Sequence, residues 1–206
     1  MKINPDFWLD GVKRMPIPGG QVLNLRRFLI IHFTDGATAE SSVSWWKNPK
    51  ARGSNAHIVI DRDGSVIQCR PFNRTCGHAG KARWRDPKTG LLFASLNSCS
   101  IGIELANGGA DEPGPDGFDW AKKQPGFQVI KAAHKHGGPV REWEAYPAAQ
   151  LASCDAVSLA LVDRFNLDDL VGHEDISRGR KTDPGPAFPM AAARAKCGFT
   201  GPIPLL

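Results

Sequence analysis

Three stretches of this chain carry polar side chains that an apolar strand or a plain turn would not need. His32 stands near the end of Phe28-Leu-Ile-Ile-His-Phe-Thr34, an apolar run that stops at Asp35-Gly36. Glu104 interrupts Ser100-Ile-Gly-Ile-Glu-Leu105, and the turn-rich segment from Gly172 to Gly185 gathers His173, Lys181 and Asp183. A catalytic zinc takes three nitrogen, oxygen or sulfur donors and keeps one position open. His32, His173 and Asp183 make a set of that type, and zinc held by them would lower the pKa of water and polarise a carbonyl. Glu104 could then carry the proton from water to a leaving group. Each signal also has a plainer reading. A lone His is more often a structural, hydrogen-bonded residue, and 172–185 taken alone is a solvated loop whose Asp caps the next helix. Glu104 divides evenly between a costly buried carboxylate and the wet face of an amphipathic strand.

The other histidines fall into two groups. His57 follows Asn55-Ala56 at a strand start and His78 sits in Cys76-Gly-His-Ala-Gly80, so both compete as ligands or as substrate contacts. His134 and His136, beside two lysines in Lys131-Ala-Ala-His-Lys-His136, read as solvated surface. The Trp45-Trp46 pair lines a groove for sugar or peptide, or packs in the core. The chain has no GxSxG, Walker loop, GxGxxG or HExxH.

These residues need elements to hold them. The run 28–34 reads as a buried strand, Thr38 to Trp46 as a helix with Thr38 at its N-cap, and 56–60 and 65–69 as two strands joined by the turn Asp61-Arg-Asp-Gly64. Residues 71–98 read as a long surface loop, 100–105 as another strand, and 151–165 and 188–197 as helices. Residues 1–24 form an irregular arm, and 108–146, rich in Gly and Pro without a clear period, read as an insertion or rim. Alternating strands and helices give an α/β class with one central sheet.

Composition sets the bounds. A chain of 206 residues favours one domain, and 41% hydrophobic with 23% charged residues is ordinary for a globular protein. The net charge of +5 and a pI near 9.1 suit an anionic partner such as cell wall. No basic run or RNA-binding aromatic motif points to nucleic acid, and no apolar stretch reaches membrane-spanning length. The first twenty residues carry charges and prolines instead of an apolar core, so the expectation is a monomer made in the cytoplasm without an export signal. Five cysteines, an odd number with no CxxC pair, suit reduced thiols, with a Cys69–Cys76 bridge left open.

In order along the chain, IIHFTDG, SNAHIVIDRDGSVIQ, CGHAG, NSCSIGIELAN, YPAAQ and VGHEDISRGRKTDPGPAFP cover roughly residues 28–190. Together they resemble the type 2 N-acetylmuramoyl-L-alanine amidases, a family that includes muropeptide-recycling amidases and phage endolysins and is related to peptidoglycan recognition proteins. The resemblance implies a central mixed β-sheet flanked by helices, with a zinc cleft at the sheet edge. It implies His32, His173 and Asp183 as zinc ligands, Glu104 as catalytic acid/base and Lys181 as the charge that stabilises an oxyanion. His78, Asn107 and His57 are expected along the substrate groove, with Trp46 as a further wall. Some phage members use Cys as the third ligand and Tyr before the second strand, where this chain has Asp183 and Ala56. The implied reaction is hydrolysis of the amide between N-acetylmuramic acid and L-alanine in peptidoglycan or muropeptides. Two alternatives stay open: a non-catalytic peptidoglycan-binding module, and a zinc amidase or peptidase acting on another amide.

Overall fold

Apolar side chains on every position of Phe28–Ile31 leave no face for water, so this run must be covered on both sides. The computed structural model, which describes residues 1–111 and 118–201, shows how. In chain order the elements are β1 (Lys13–Arg14), β2 (Phe28–Phe33), α1 (Ala39–Trp46), β3 (Ile58–Ile60), β4 (Val66–Gln68), β5 (Trp84–Arg85), β6 (Leu92–Phe93) and β7 (Ser100–Leu105). Then come β8 (Val129–Ala133), β9 (Val140–Glu144), α2 (Ala148–Phe165), β10 (Asp169–Gly172), α3 (His173–Ile176) and α4 (Met190–Lys196). The central sheet runs β1-β4-β3-β7-β2-β10. Strands β3, β7, β2 and β10 are parallel, while β4 turns back antiparallel to β3. The expected mixed sheet flanked by helices is the fold observed.

Alternate residues of β2 feed different cores. Leu29 and Ile31 pack with Ile101, Ile103 and the buried faces of α2 and α4, whereas Phe28 and Ile30 pack with Trp84, Leu96 and Val171. On the second face α1 covers Val59 and Ile67 with Ala39 and Val43. Thr38 caps α1 through Ser41, as the sequence indicated, and Asp61 adds an acceptor for the Ala39 amide at 2.9 Å. The turn between β3 and β4 requires glycine at Gly64: its φ is +85°, and a Cβ there would lie 2.7 Å from the Ala149 carbonyl oxygen. From α2, Gln150 donates to the carbonyls of Ile60 and Ala106, both at 3.0 Å, and so ties the ends of β3 and β7 to the helix.

Several parts differ from the sequence expectation. The arm 1–24 supplies edge strand β1, which pairs with β4, and 71–98 is no plain surface loop, since it contains the β5–β6 hairpin and buries Phe72, Ala79 and Trp84. Asp169–Gly172, not singled out as an element, pairs with β2 as the edge strand β10. Helix α2 begins at Ala148, ahead of Leu151. The segment 108–146, outside whose described residues lie 112–117, contains the antiparallel hairpin β8–β9. Arg62 holds the base of that hairpin through a buried ion pair to Glu144 at 2.6 and 3.0 Å, and Glu144 also accepts from the Gly108 amide. All five cysteines are free and buried, and burial pushes the Cys69, Cys76 and Cys154 thiols up to about 12. Among the described residues no helix is long and apolar enough to cross a membrane.

Candidate metal centre and its cleft

The parallel register of β2 and β7 sets His32 directly beside Glu104. Next-neighbour strands put paired residues on the same face, so both side chains emerge together, on the face away from α2 and α4. The edge strand β10 hands on to α3, whose first residue is His173, and the following loop returns Asp183. The Glu174 amide donates to the Asp183 carbonyl at 2.8 Å, which fixes the two segments against each other. Three side chains from distant parts of the sequence thereby meet at the carboxyl ends of β2, β7 and β10.

Their contacts are close. His32 Nδ1 lies 3.0 Å from His173 Nδ1 and 3.0 Å from Asp183 Oδ2, and His173 Nδ1 lies 2.9 Å from the same oxygen. All three residues are buried, and they form a metal-capable cluster among the described residues. On the far side of its ring, His173 Nε2 donates to the Ala79 carbonyl at 3.1 Å, an acceptor that it shares with Arg180. A carbonyl cannot donate, so the His173 proton sits on Nε2 and Nδ1 presents a lone pair to the cluster. Burial, with His173 adding to it, lowers the His32 imidazole to about 4, which keeps this ring neutral as a ligand must be. Two imidazoles and one carboxylate converging at this separation fit a small divalent cation.

Glu104 stands next to the cluster with its Oε2 fully buried and without a hydrogen-bond partner. Burial pushes its carboxyl well above the ordinary glutamate range, the Asp183 charge pushes further, and Lys181 opposes both. An orphaned carboxylate oxygen facing a cation site is placed to hold and move a proton. Lys181 lines the same cleft, a hollow of about 410 Å³ that also has Trp45, Trp46 and Arg180 in its walls. A larger hollow of about 830 Å³ lies beyond, sharing Trp46, Asn55 and Gly77 with it.

The remaining sequence-predicted residues fall in different places. Trp46 does border the cleft, and Trp45, 53% exposed, lines it too instead of packing in the core. His78 also touches the cleft, but its ring is mostly buried behind His32, with Nδ1 3.0 Å from His32 Nε2. His57 is fully buried: its Nδ1 accepts from the Gly102 amide and its Nε2 donates to the Arg74 carbonyl, so no edge faces substrate. Asn107 is buried at the base of the hairpin, bonded to the Glu144 carbonyl and the Gly109 amide.

His134 is half-buried instead of solvated surface, whereas His136 stays exposed as expected. The tip of the β8–β9 hairpin lies on α3, where His134 Nε2 meets Glu174 at 2.6 Å and Lys135 reaches both Glu174 and Asp175, at 2.7 and 2.8 Å. His136 adds a contact to Asp175 at 3.3 Å. Asp175 in turn accepts from the Gly172 amide at 3.1 Å, which holds the turn that leads into His173. Opposite charges in the two segments were the available signal, since buried acids at 174 and 175 call for cations.

Known proteins resemble this chain in sequence and in fold. Residues 23–186 match the N-acetylmuramoyl-L-alanine amidase family. The chain belongs to that family. The 1,6-anhydro-N-acetylmuramyl-L-alanine amidase AmpD of Escherichia coli (strain K12) is 32% identical over 142 residues, which is 68% of this chain and 56% of AmpD. The chain therefore spans little more than half the length of that relative. A crystal structure of an AmpD derivative superposes with a TM-score of 0.60 at 26% identity, covering 95% of this chain and 99% of the other. The amidase AmiD from E. coli, solved in complex with its substrate anhydro-N-acetylmuramic acid-L-Ala-D-gamma-Glu-L-Lys, gives 0.61 at 24% identity over 85% of this chain and 58% of that one. At that identity the AmiD likeness speaks for the fold.

Proposed function

We propose that this member of the amidase family hydrolyses the amide between N-acetylmuramic acid and L-alanine, with zinc held by His32, His173 and Asp183. The observation that carries the proposal is the convergence of three buried metal donors beside Glu104, whose buried oxygen is otherwise unpartnered. Zinc, when bound, supplies Lewis acidity: it lowers the pKa of water towards neutrality and polarises the scissile carbonyl. Glu104 takes a proton from the attacking water and returns it to the departing alanine nitrogen. Lys181, at the cleft wall, offers its positive charge to the oxyanion as it forms. Trp45 and Trp46 form an aromatic wall suited to a sugar ring or a peptide plane.

The likeness to AmpD favours soluble 1,6-anhydromuropeptides as the substrate. The net charge of +5 favours instead a wall-directed lysin adhering to an anionic polymer. Cleavage assays on anhydromuropeptides and on purified sacculi, each with chelator and then with zinc restored, test both readings. Chelator-sensitive release of L-alanine amino termini is expected, faster from the soluble fragment. Cleavage that persists without metal would remove the zinc mechanism, and a folded, zinc-loaded chain that cleaves neither substrate would leave a binding module.

A further inference from the structure

The loop Cys76-Gly-His-Ala-Gly80 touches both histidines of the cluster from behind. Ala79 takes the His173 proton on its carbonyl, while the His78 side chain meets His32. Behind His78 a chain of contacts continues: its Nε2 lies 3.3 Å from Ser100 Oγ, and Ser100 Oγ donates to the Leu96 carbonyl at 2.5 Å. The direction of every proton in this chain follows from its far end. A carbonyl only accepts, so the single Ser100 hydroxyl hydrogen is committed to Leu96. The Ser100 oxygen must then accept the Nε2–H of His78. A neutral His78 is left with a bare Nδ1, which accepts the Nε2–H of His32. A neutral His32 is left with its lone pair on Nδ1, the atom that faces His173 and Asp183. Both rings are buried.

We infer that His78, oriented by Ser100, is a positioning residue that fixes the tautomer of His32 and so the strength with which the site holds its metal. The inference rests on the zinc reading above. Three features show that the arrangement is built. A Cβ on Gly102 would lie 2.6 Å from His78 Cγ, so glycine at this place in β7 is the slot into which the imidazole fits. Asn97 Oδ1 accepts from the amides of both His78 and Ala79, at 3.1 and 2.8 Å, and pins the loop that serves both ligands. His57, whose ring centroid lies 5.8 Å from that of His78, has both nitrogens engaged elsewhere and does not divert the chain. A group that orients a metal-bound imidazole is typically worth about 10–100-fold in metal affinity.

The test separates hydrogen bonding from packing. Zinc dissociation constants are measured by chelator competition for the full chain and for His78→Leu, His78→Asn and Ser100→Ala. Leu fills the volume without an acceptor, and Asn restores an acceptor near the position of Nδ1. His78→Leu is expected to bind zinc about 10–100-fold more weakly, His78→Asn to recover most of that loss, and Ser100→Ala to fall between wild type and His78→Leu. Long-range proton–nitrogen correlation spectra of the zinc-free chain should show the His32 proton on Nε2, and a tautomer mixture in His78→Leu. Wild-type zinc affinity in His78→Leu, or a His32 proton on Nδ1 in the unaltered chain, would overturn the inference. If His78→Leu does not fold, Ser100→Ala decides, since unchanged affinity and tautomer in that variant also overturn it. A wild-type chain that binds no zinc would defeat the metal reading, and the spectra would still report on His78.

Discussion

Glu104 shows how much depends on one atom. Its buried, unpartnered Oε2 is tolerable beside a cation and a substrate, and expensive otherwise. Glu104→Gln removes the proton carrier and keeps the shape, so it should retain zinc yet lose about 10²–10⁴ in kcat, read from steady-state kinetics with metal content measured alongside. Wild-type turnover in that variant would remove Glu104 from the mechanism. Lys181→Met should cost about 10²–10³ in kcat with little change in zinc content. The pH dependence follows from the direction of the Glu104 shift. The carboxylate is the working form, so kcat/KM should fall as pH drops through its pKa, and that acidic limb should lie above the ordinary glutamate value. At this scale the sequence was legible for residue types and ambiguous for direction. Alternation alone left Glu104 evenly divided between core and water, and the His32–Glu104 pairing resolved it, because register is a property of two strands. His78 and His57 were visible as candidates, but which nitrogen each engages depends on partners such as Ser100 and Arg74 that no local pattern marks.

Among the elements, the central strands were readable because short apolar runs such as Phe28–Ile31 and Ile58–Ile60, bounded by turn residues, have few other uses. Strand β10 was harder to see: Asp169-Leu-Val-Gly172 is short, and its membership in the sheet comes from pairing with β2. The β8–β9 hairpin escaped for a related reason. Its strands lie largely at the surface, without the apolar alternation that marks a half-buried strand, and what holds it is ionic contact at both ends. That gives two predictions. Arg62→Ala leaves Glu144 as an uncompensated buried charge and should lower stability by about 3–5 kcal/mol, measured by urea unfolding. Lys135→Ala should speed amide hydrogen exchange in β8 and β9 while β2 and β7 keep their protection; equal loosening of the sheet would mean that the hairpin is not an independent unit. Because Glu174 and Asp175 flank His173, the hairpin also braces the segment that delivers a ligand.

For the whole molecule, class and sheet were legible because strand and helix patterns alternate along the chain, whereas strand order was not, since nothing local states which strands are neighbours. The net charge of +5 is a property of the entire surface, and its consequence is dependence on ionic strength. Binding to sacculi should weaken as salt rises from about 0.05 to 0.5 M, while turnover of a small soluble muropeptide should change little. Equal salt sensitivity for both substrates would place the effect within the cleft.

The pairing of His32 with Glu104 has one more consequence. Their backbone separation is an inter-strand spacing of ~4.8 Å, a length set by hydrogen bonds and insensitive to which apolar residues fill the surrounding core. Wear in the core should therefore reach the chemistry late. Variants that merely loosen α2 or α4 should stay fully active until the sheet itself gives way, so inactivation and unfolding should share one midpoint in denaturant. Tolerance of that kind gives the chain freedom to drift in sequence around its helices without retuning the reaction.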